Sequence, residues 1–166
     1  MEKKPNAEII APQKILSVLS GENKAVAEEF MEFAAKHDLT HAVKFNEKRN
    51  KYKCVFSSKK PKRVILTVET SPGKLIIKSN LYGIDEYKKD VNLSENIIAQ
   101  AKSHSWACAK YNGNKCNDKC RGGVPFTNDG NTDYACIASA FSFDSLSRGE
   151  WRTVMAMTEK ELETVK

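Results

Sequence analysis

Cys108, Cys116, Cys120 and Cys136 stand in the spacing Cys-x7-Cys-x3-Cys-x15-Cys and include all but one of the five cysteines of the chain. Four thiolates suit a tetrahedral zinc site that is closed, with no coordination position left for a substrate. Only Cys116 and Cys120 have the separation usual for a zinc ligand pair, so the fold must bring in the other two. Asn112, Gly113, Asn114, Asn117, Gly122 and Gly123 make the intervening segment a flexible loop. An iron–sulfur cluster uses the same donors. Disulfides, or reduced thiols packed as small apolar groups, are the readings without metal. His104 is available to replace one sulfur. Cys54 differs from the rest, because it alternates with Tyr52 and Phe56 on the apolar side of a strand pattern and reads as core.

The elements that must position these sulfurs can be read around them. Ser94 is placed to cap a helix through Ile97, Ile98 and Ala101 to His104, delivering the chain to Cys108. After the cluster, Val124 to Thr127 and Thr132 to Phe143 flank Asn128, Asp129, Gly130 and Asn131, and the Asp-Gly pair is a strong hairpin signal. A turn centred between Asp129 and Gly130 sets Cys136 opposite Gly123, about 5 Å across the ladder and three residues from Cys120. Residues 104–136 thus form a cysteine-rich, metal-binding lobe.

The rest of the chain supplies a scaffold. Pro12, with Ile15, Leu16 and Leu19 before Gly21, opens a short helix, and Asn23 caps a second with Val26, Phe30, Phe33, Ala34 and His37 at helical spacing. From His41 the period falls to two. Val43 and Phe45, then Tyr52, Cys54 and Phe56, flank a polar turn; Lys62 to Thr70 and Lys74 to Ser79 follow, separated by Ser71, Pro72 and Gly73. Leu81 to Asp90 fits no single pattern. Ser147 and Glu150 form a capping box, and Trp151, Val154, Met155, Thr158, Leu162 and Val165 trace one stripe of a closing helix. The expected fold is α+β: an antiparallel meander plus a second hairpin, with helices over Pro12 to His37 and Ser147 to Val165 on one face. A chain of 166 residues, 40% hydrophobic and 29% charged, suits one globular domain over 1–166, with disorder confined to the ends and to 1–11 in particular.

Other constellations are weaker. His37 and His41 stand four apart with Asp38 beside the first, a partial echo of the metalloprotease pair. Aspartate there is one methylene short of the usual glutamate, and Thr40 and His41 read as the exit of the helix, so His37 is expected at a helix C-terminus where its charge is tolerated. Lys44, Lys48, Arg49, Lys51, Lys53, Lys59, Lys60, Lys62 and Arg63 make a basic stretch interleaved with Phe45, Tyr52 and Phe56, a composition that can bind single-stranded nucleic acid. Alternation sets Lys51 and Lys53 on one face and Tyr52 and Phe56 on the other, whereas an RNA-binding sheet needs both on the same face. Neither a Gly-x-Gly-x-x-Gly run, a phosphate-binding Gly-x4-Gly-Lys-Ser/Thr loop, nor a Gly-x-Ser-x-Gly elbow occurs. Asp85, Glu86, Asp90, Asp129, Asp133 and Asp144 offer no carboxylate pair of fixed geometry.

The net charge of +6 permits an acidic partner without requiring one. No apolar run approaches the roughly 20 residues that span a bilayer, and MEKKPNAEII lacks the apolar segment of a secretory signal. The expectation is a cytoplasmic binding or interaction module, not an enzyme, with a structural four-cysteine zinc site and a protein or small-molecule partner. Its alternatives are a nucleic-acid-associated protein using the basic hairpin over 44–63, and a redox or cysteine-dependent enzyme, which would require an accessible thiolate of low pKa.

Overall fold

The computed structural model describes residues 11–104, 106–120 and 122–164. Residues 1–10, and with them all of the expected disordered segment but Ala11, lie outside the described residues, as does Val165. Four strands follow one another as a meander: β1 (Thr40–Asn46), β2 (Lys51–Ser58), β3 (Arg63–Ser71) and β4 (Lys74–Ser79). Their turns use residues that accept positive φ, Asn50 at 43° and Gly73 at 71°. A fifth strand arrives much later in the chain and pairs with β4, giving the order β1-β2-β3-β4-β7 with β7 at Phe141–Asp144. Between β4 and β7 the chain builds the short helix α2 (Ile84–Tyr87), α3 (Glu95–His104), the cysteine loop and the separate hairpin of β5 (Val124–Asn128) and β6 (Asn131–Ala135).

The two faces of the sheet have opposite chemistry because side chains alternate along each strand. The inner face carries Cys54, Phe56, Leu66, Val68, Leu75, Ile77, Phe141 and Phe143, all buried. A bulge at Phe56/Ser57 adds one residue to β3, so Ile65 and Leu66 both reach the interior. Each large apolar side chain sunk here contributes roughly 1.5–3 kcal/mol. A 3-10 turn over Pro12–Val18, helix α1 (Gly21–Lys36) and helix α4 (Arg148–Glu163) cover this face. Phe30 of α1 meets Trp151 of α4 edge-on, ring centres 6.0 Å apart. Thr158 of α4 bonds Ser79 of β4 at 2.8 Å, so the one polar pair at that contact is satisfied.

The outer face is laid out in rows fixed by the strand register. One row runs Ala42, Val55, Thr67, Lys78, Ser142; the next runs Lys44, Lys53, Glu69, Ile76, Asp144. Helix α3 anchors at the β7 edge, where Gln100 reads both backbone groups of Asp144, donating to its carbonyl at 2.7 Å and accepting its N–H at 2.8 Å. Asp85 of α2 accepts the Thr127 N–H at 2.6 Å and its hydroxyl at 2.7 Å, which fixes the β5–β6 hairpin on the body.

Three details depart from the reading of the sequence. Thr132 to Phe143 is two strands, because the Cys136 N–H turns to the Trp106 carbonyl and the Ser139 N–H and hydroxyl both close back on the Cys136 carbonyl at 2.9 Å. The hairpin therefore stands apart, and β7 alone joins the large sheet. Helix α1 begins after Ser20, not at Asn23, whose side-chain amide donates instead to the Gly73 carbonyl at 3.2 Å. The buried stripe of α4 also includes Met157 and Glu161, while Met155 is only partly covered. The expected caps form: Ser147 and Glu150 cap each other reciprocally, and the Ser94 hydroxyl accepts the Ile97 N–H at 3.2 Å as a simple N-cap.

Candidate functional site

The cysteine lobe is built on the hairpin. Ala107 pairs antiparallel with Ala135, flanked by hydrogen bonds from Cys108 N–H to Tyr134 O at 2.7 Å and from Cys136 N–H to Trp106 O at 2.5 Å. Residues 106–108 thus form a third strip beside β6. In such a ladder, direct partners and residues two apart share a face, which puts Cys136 on the side of the strip where Cys108 and Tyr134 lie. Tyr111 stacks on Tyr134 with ring centres 3.7 Å apart and planes within 6°.

The expected pairing of Gly123 with Cys136 does not form. The ladder ends at Val124 and Ala135, Gly122 turns the chain with φ of 110°, and Gly123 folds over the Cys108–Tyr134 pair. A β-carbon at 123 would sit 2.8 Å from the Cys108 Cβ and 3.0 Å from the Tyr134 Cβ, so only glycine fits. The crossing sets Gly123 against Cys108, where the expected ladder had set it opposite Cys136. Asn117 shapes the remaining turn: its side chain accepts the Lys119 N–H at 2.9 Å and its carbonyl accepts the Cys120 N–H at 2.8 Å. That turn sets Cys116 and Cys120 four residues apart around its bend. The Cys120 contact is the largest influence on the Cys116 thiol and raises its pKa; an N–H from Asn117 acts the other way, and Cys108 lies close enough to add a further upward push. The Cys120 sulfur also points to the Gly122 carbonyl at 3.9 Å.

All five cysteines are free thiols. Among the described residues, no group of three or more His, Cys, Asp or Glu side chains is arranged to hold a metal ion. The side chain of His104 lies outside the described residues. Cys54 is fully buried, and burial pushes its thiol up to about 12, as expected of a core residue. The two cysteines with shifted acidity thus favour the protonated thiol, the direction opposite to an activated nucleophile.

His37 and His41 do not share a helical face. His37 is the C-cap of α1, its ring 4.5 Å from that of Phe33 and its Nε2 3.4 Å from Glu159, while His41 belongs to β1 and faces Phe56.

The basic stretch divides among three places. Lys48 and Arg49 sit in a 3-10 turn at one end of β2, and Lys59, Lys60 and Lys62 at the other end, roughly 20 Å away by strand rise. Lys51 and Lys53 lie between, on the outer face, where they pair with Glu69. Arg63 is turned the other way. Its guanidinium pairs with buried Glu161 of α4 and lies 4.4 Å from the ring centre of Tyr82, so this residue belongs to the interior and not to a nucleic-acid surface. Phe56 is buried, as alternation requires. Sequence reasoning missed Lys78 and Trp106, which join Lys53 around one outer-face pocket. Trp106 is 72% exposed, and an indole is seldom left in water without a use, but that exposure is visible only in the fold.

Comparison of the chain with protein-family models, curated proteins and solved structures returns no match. No helix among the described residues is long and apolar enough to cross a membrane.

Proposed function

We propose that this chain is a binding module whose lobe is held by a structural zinc ion on Cys108, Cys116, Cys120 and Cys136. The observation that carries this reading is the Asn117 turn, closed by the Cys120 N–H on the Asn117 carbonyl, which sets Cys116 and Cys120 near enough for each to act on the other's thiol, with the Asn117 backbone N–H favouring the Cys116 thiolate. Such an N–H favours thiolate and orients it, the role that outer-shell donors play at metal sites. The lobe also has a need for a staple: the described residues from Ala109 to Cys120 are without helix or strand and contribute nothing to the buried core. The glycines and asparagines of the loop give it the freedom to close four sulfurs on a cation. Four thiolates leave zinc no open position, so its contribution is to folding and not to turnover.

Elemental analysis of chelator-free protein purified without oxygen tests the reading. One zinc per chain, lost in a Cys116→Ser, Cys120→Ser variant, is the expected result. Iron with acid-labile sulfide would assign a cluster instead; metal-free protein with four freely titrating thiols would end the proposal.

A further inference from the structure

The outer face of the sheet carries a second candidate site, which deepens the reading of the chain as a binding module and is independent of the metal. A pocket of about 400 Å³ opens there, lined by Lys53, Thr67, Lys78, Asn80, Ser139 and Trp106 among others. This is within the range of small-ligand sites. In the sheet row beside it, across from Lys53, Glu69 is 3% exposed, an unusual depth for a carboxylate. Three lysines converge on it: Lys51, Lys53 at 3.9 Å and Lys78 at 2.9 Å.

Lys53 and Lys78 reach the same oxygen, Oε1, from neighbouring sides, which holds two ammonium groups within reach of one anion. Glu69 neutralises one of the three charges and leaves an excess of two, matched by a phosphate monoester, whose charge near neutral pH is about −1.5 to −2. Lys44 adds a further cation directly across from Lys53. Like charges opposite one another in a sheet are destabilising, a cost that an anion bound between the strands removes. The Thr67, Ser139 and Asn80 side chains add uncharged polar groups to the lining. At the rim stands Trp106, 72% exposed, a flat apolar surface beside a cationic floor.

We infer that this pocket takes a nucleotide unit, its phosphate between Lys53 and Lys78 and its base against Trp106. Unlike the arrangement read from the sequence, cations and an aromatic ring here belong to one pocket, the condition for recognition of unpaired bases on a sheet. The nucleotide can be free or part of a single strand, and these sources are separable by experiment.

The test titrates the full chain at low salt with uridine monophosphate, a ten-residue thymidine oligonucleotide and inorganic tripolyphosphate, following tryptophan fluorescence and heat of binding. Trp151 is buried, so quenching reports Trp106. Expected are quenching by the two nucleotide probes and weaker binding as salt rises. Lys53→Gln with Lys78→Gln should weaken binding at least tenfold and Trp106→Ala roughly tenfold, with Trp106→Phe restoring most of the latter loss. Thermal melting should be unchanged in the Trp106 variants, and the lysine variant, which loses the Lys78 bond to Glu69, is titrated well below its own melting temperature. Preference for the oligonucleotide assigns a single strand, and equal affinity per nucleotide assigns a free nucleotide. Absence of any response from natively melting protein overturns the inference; so does tripolyphosphate binding as tightly as nucleotide with no effect of Trp106→Ala. Metal content is read separately, so failure here and failure of the zinc reading are distinguishable.

Discussion

Arg63 at the start of β3 and Glu161 near the end of α4 form an ion pair inside the molecule, joining the sheet to its closing helix. Glu161 is 1% exposed, and its second oxygen accepts the Gly83 N–H at 3.1 Å. Removing one partner leaves the other charge buried without compensation, so Arg63→Ala or Glu161→Ala should each cost about 3 kcal/mol in denaturant unfolding. An Arg63→Met, Glu161→Leu double variant should recover most of that loss. Equal destabilisation of single and double variants would contradict the pairing.

Glu69 supplies a pH dependence. Burial alone would raise its pKa, but the hydrogen bonds from Lys51 and Lys78 outweigh it and the net shift is downward from 4.5. A depressed pKa means the unfolded chain binds more protons, so this stability is present above pH 4.5 and is lost as pH falls through the folded value. Glu69→Gln should lower stability at pH 7 by about 2 kcal/mol, the scale of hydrogen bonds to a charged group. It should also flatten the acid limb of a melting-temperature profile; an unchanged limb would refute the assignment.

Gly123 is the packing key of the lobe. A methyl group there meets the Cys108 Cβ, the Ala135 carbonyl and the Tyr134 Cβ at 2.8, 2.9 and 3.0 Å, all three backbone or β-carbon atoms that cannot rotate away. Gly123→Ala should cost about 1–3 kcal/mol by overpacking. It should also separate Cys108 from Cys120, read as faster alkylation of the Cys108 thiol. A variant with wild-type stability and slow alkylation would place the crossing elsewhere.

Metal removal should act locally. If zinc is bound as proposed, chelation is expected to speed amide exchange over residues 106–120 and in the β5–β6 hairpin while β2, β3 and β4 stay protected, because none of the four cluster sulfurs belongs to the hydrophobic core cluster. Uniform loss of protection would show that the lobe and the sheet fold as one cooperative unit.

The scaffold was legible where local physics decides it. Period-two alternation located β4 at both ends, the Asp129-Gly130 pair gave the hairpin register, and Ser147 with Glu150 marked the start of α4. What stayed hidden depends on partners remote in sequence. Asn23 has the chemistry of a cap, yet Gly73 claims its side chain; Glu161 reads as solvated until Arg63 is found across from it. The strand expected through Cys136 breaks because Trp106 takes its N–H, a competition that no local pattern reveals. The expected ladder pairing of Gly123 with Cys136 gives way to a glycine crossing over Cys108, and among the described residues no three of the cysteines are gathered into a metal-holding group. Lys53, Lys78 and Trp106 come from three separate stretches of chain, so their pocket has no sequence signature at all.

The late arrival of β7 shapes how the protein is made. During synthesis β4 emerges with one edge unpaired, and residues 80–140 must follow before Phe141–Asp144 can close it. Loop closure over that separation is entropically slow unless the intervening chain is already compact. A nascent chain that folds α3 and the hairpin early would shorten the effective distance and cover its β4 edge sooner.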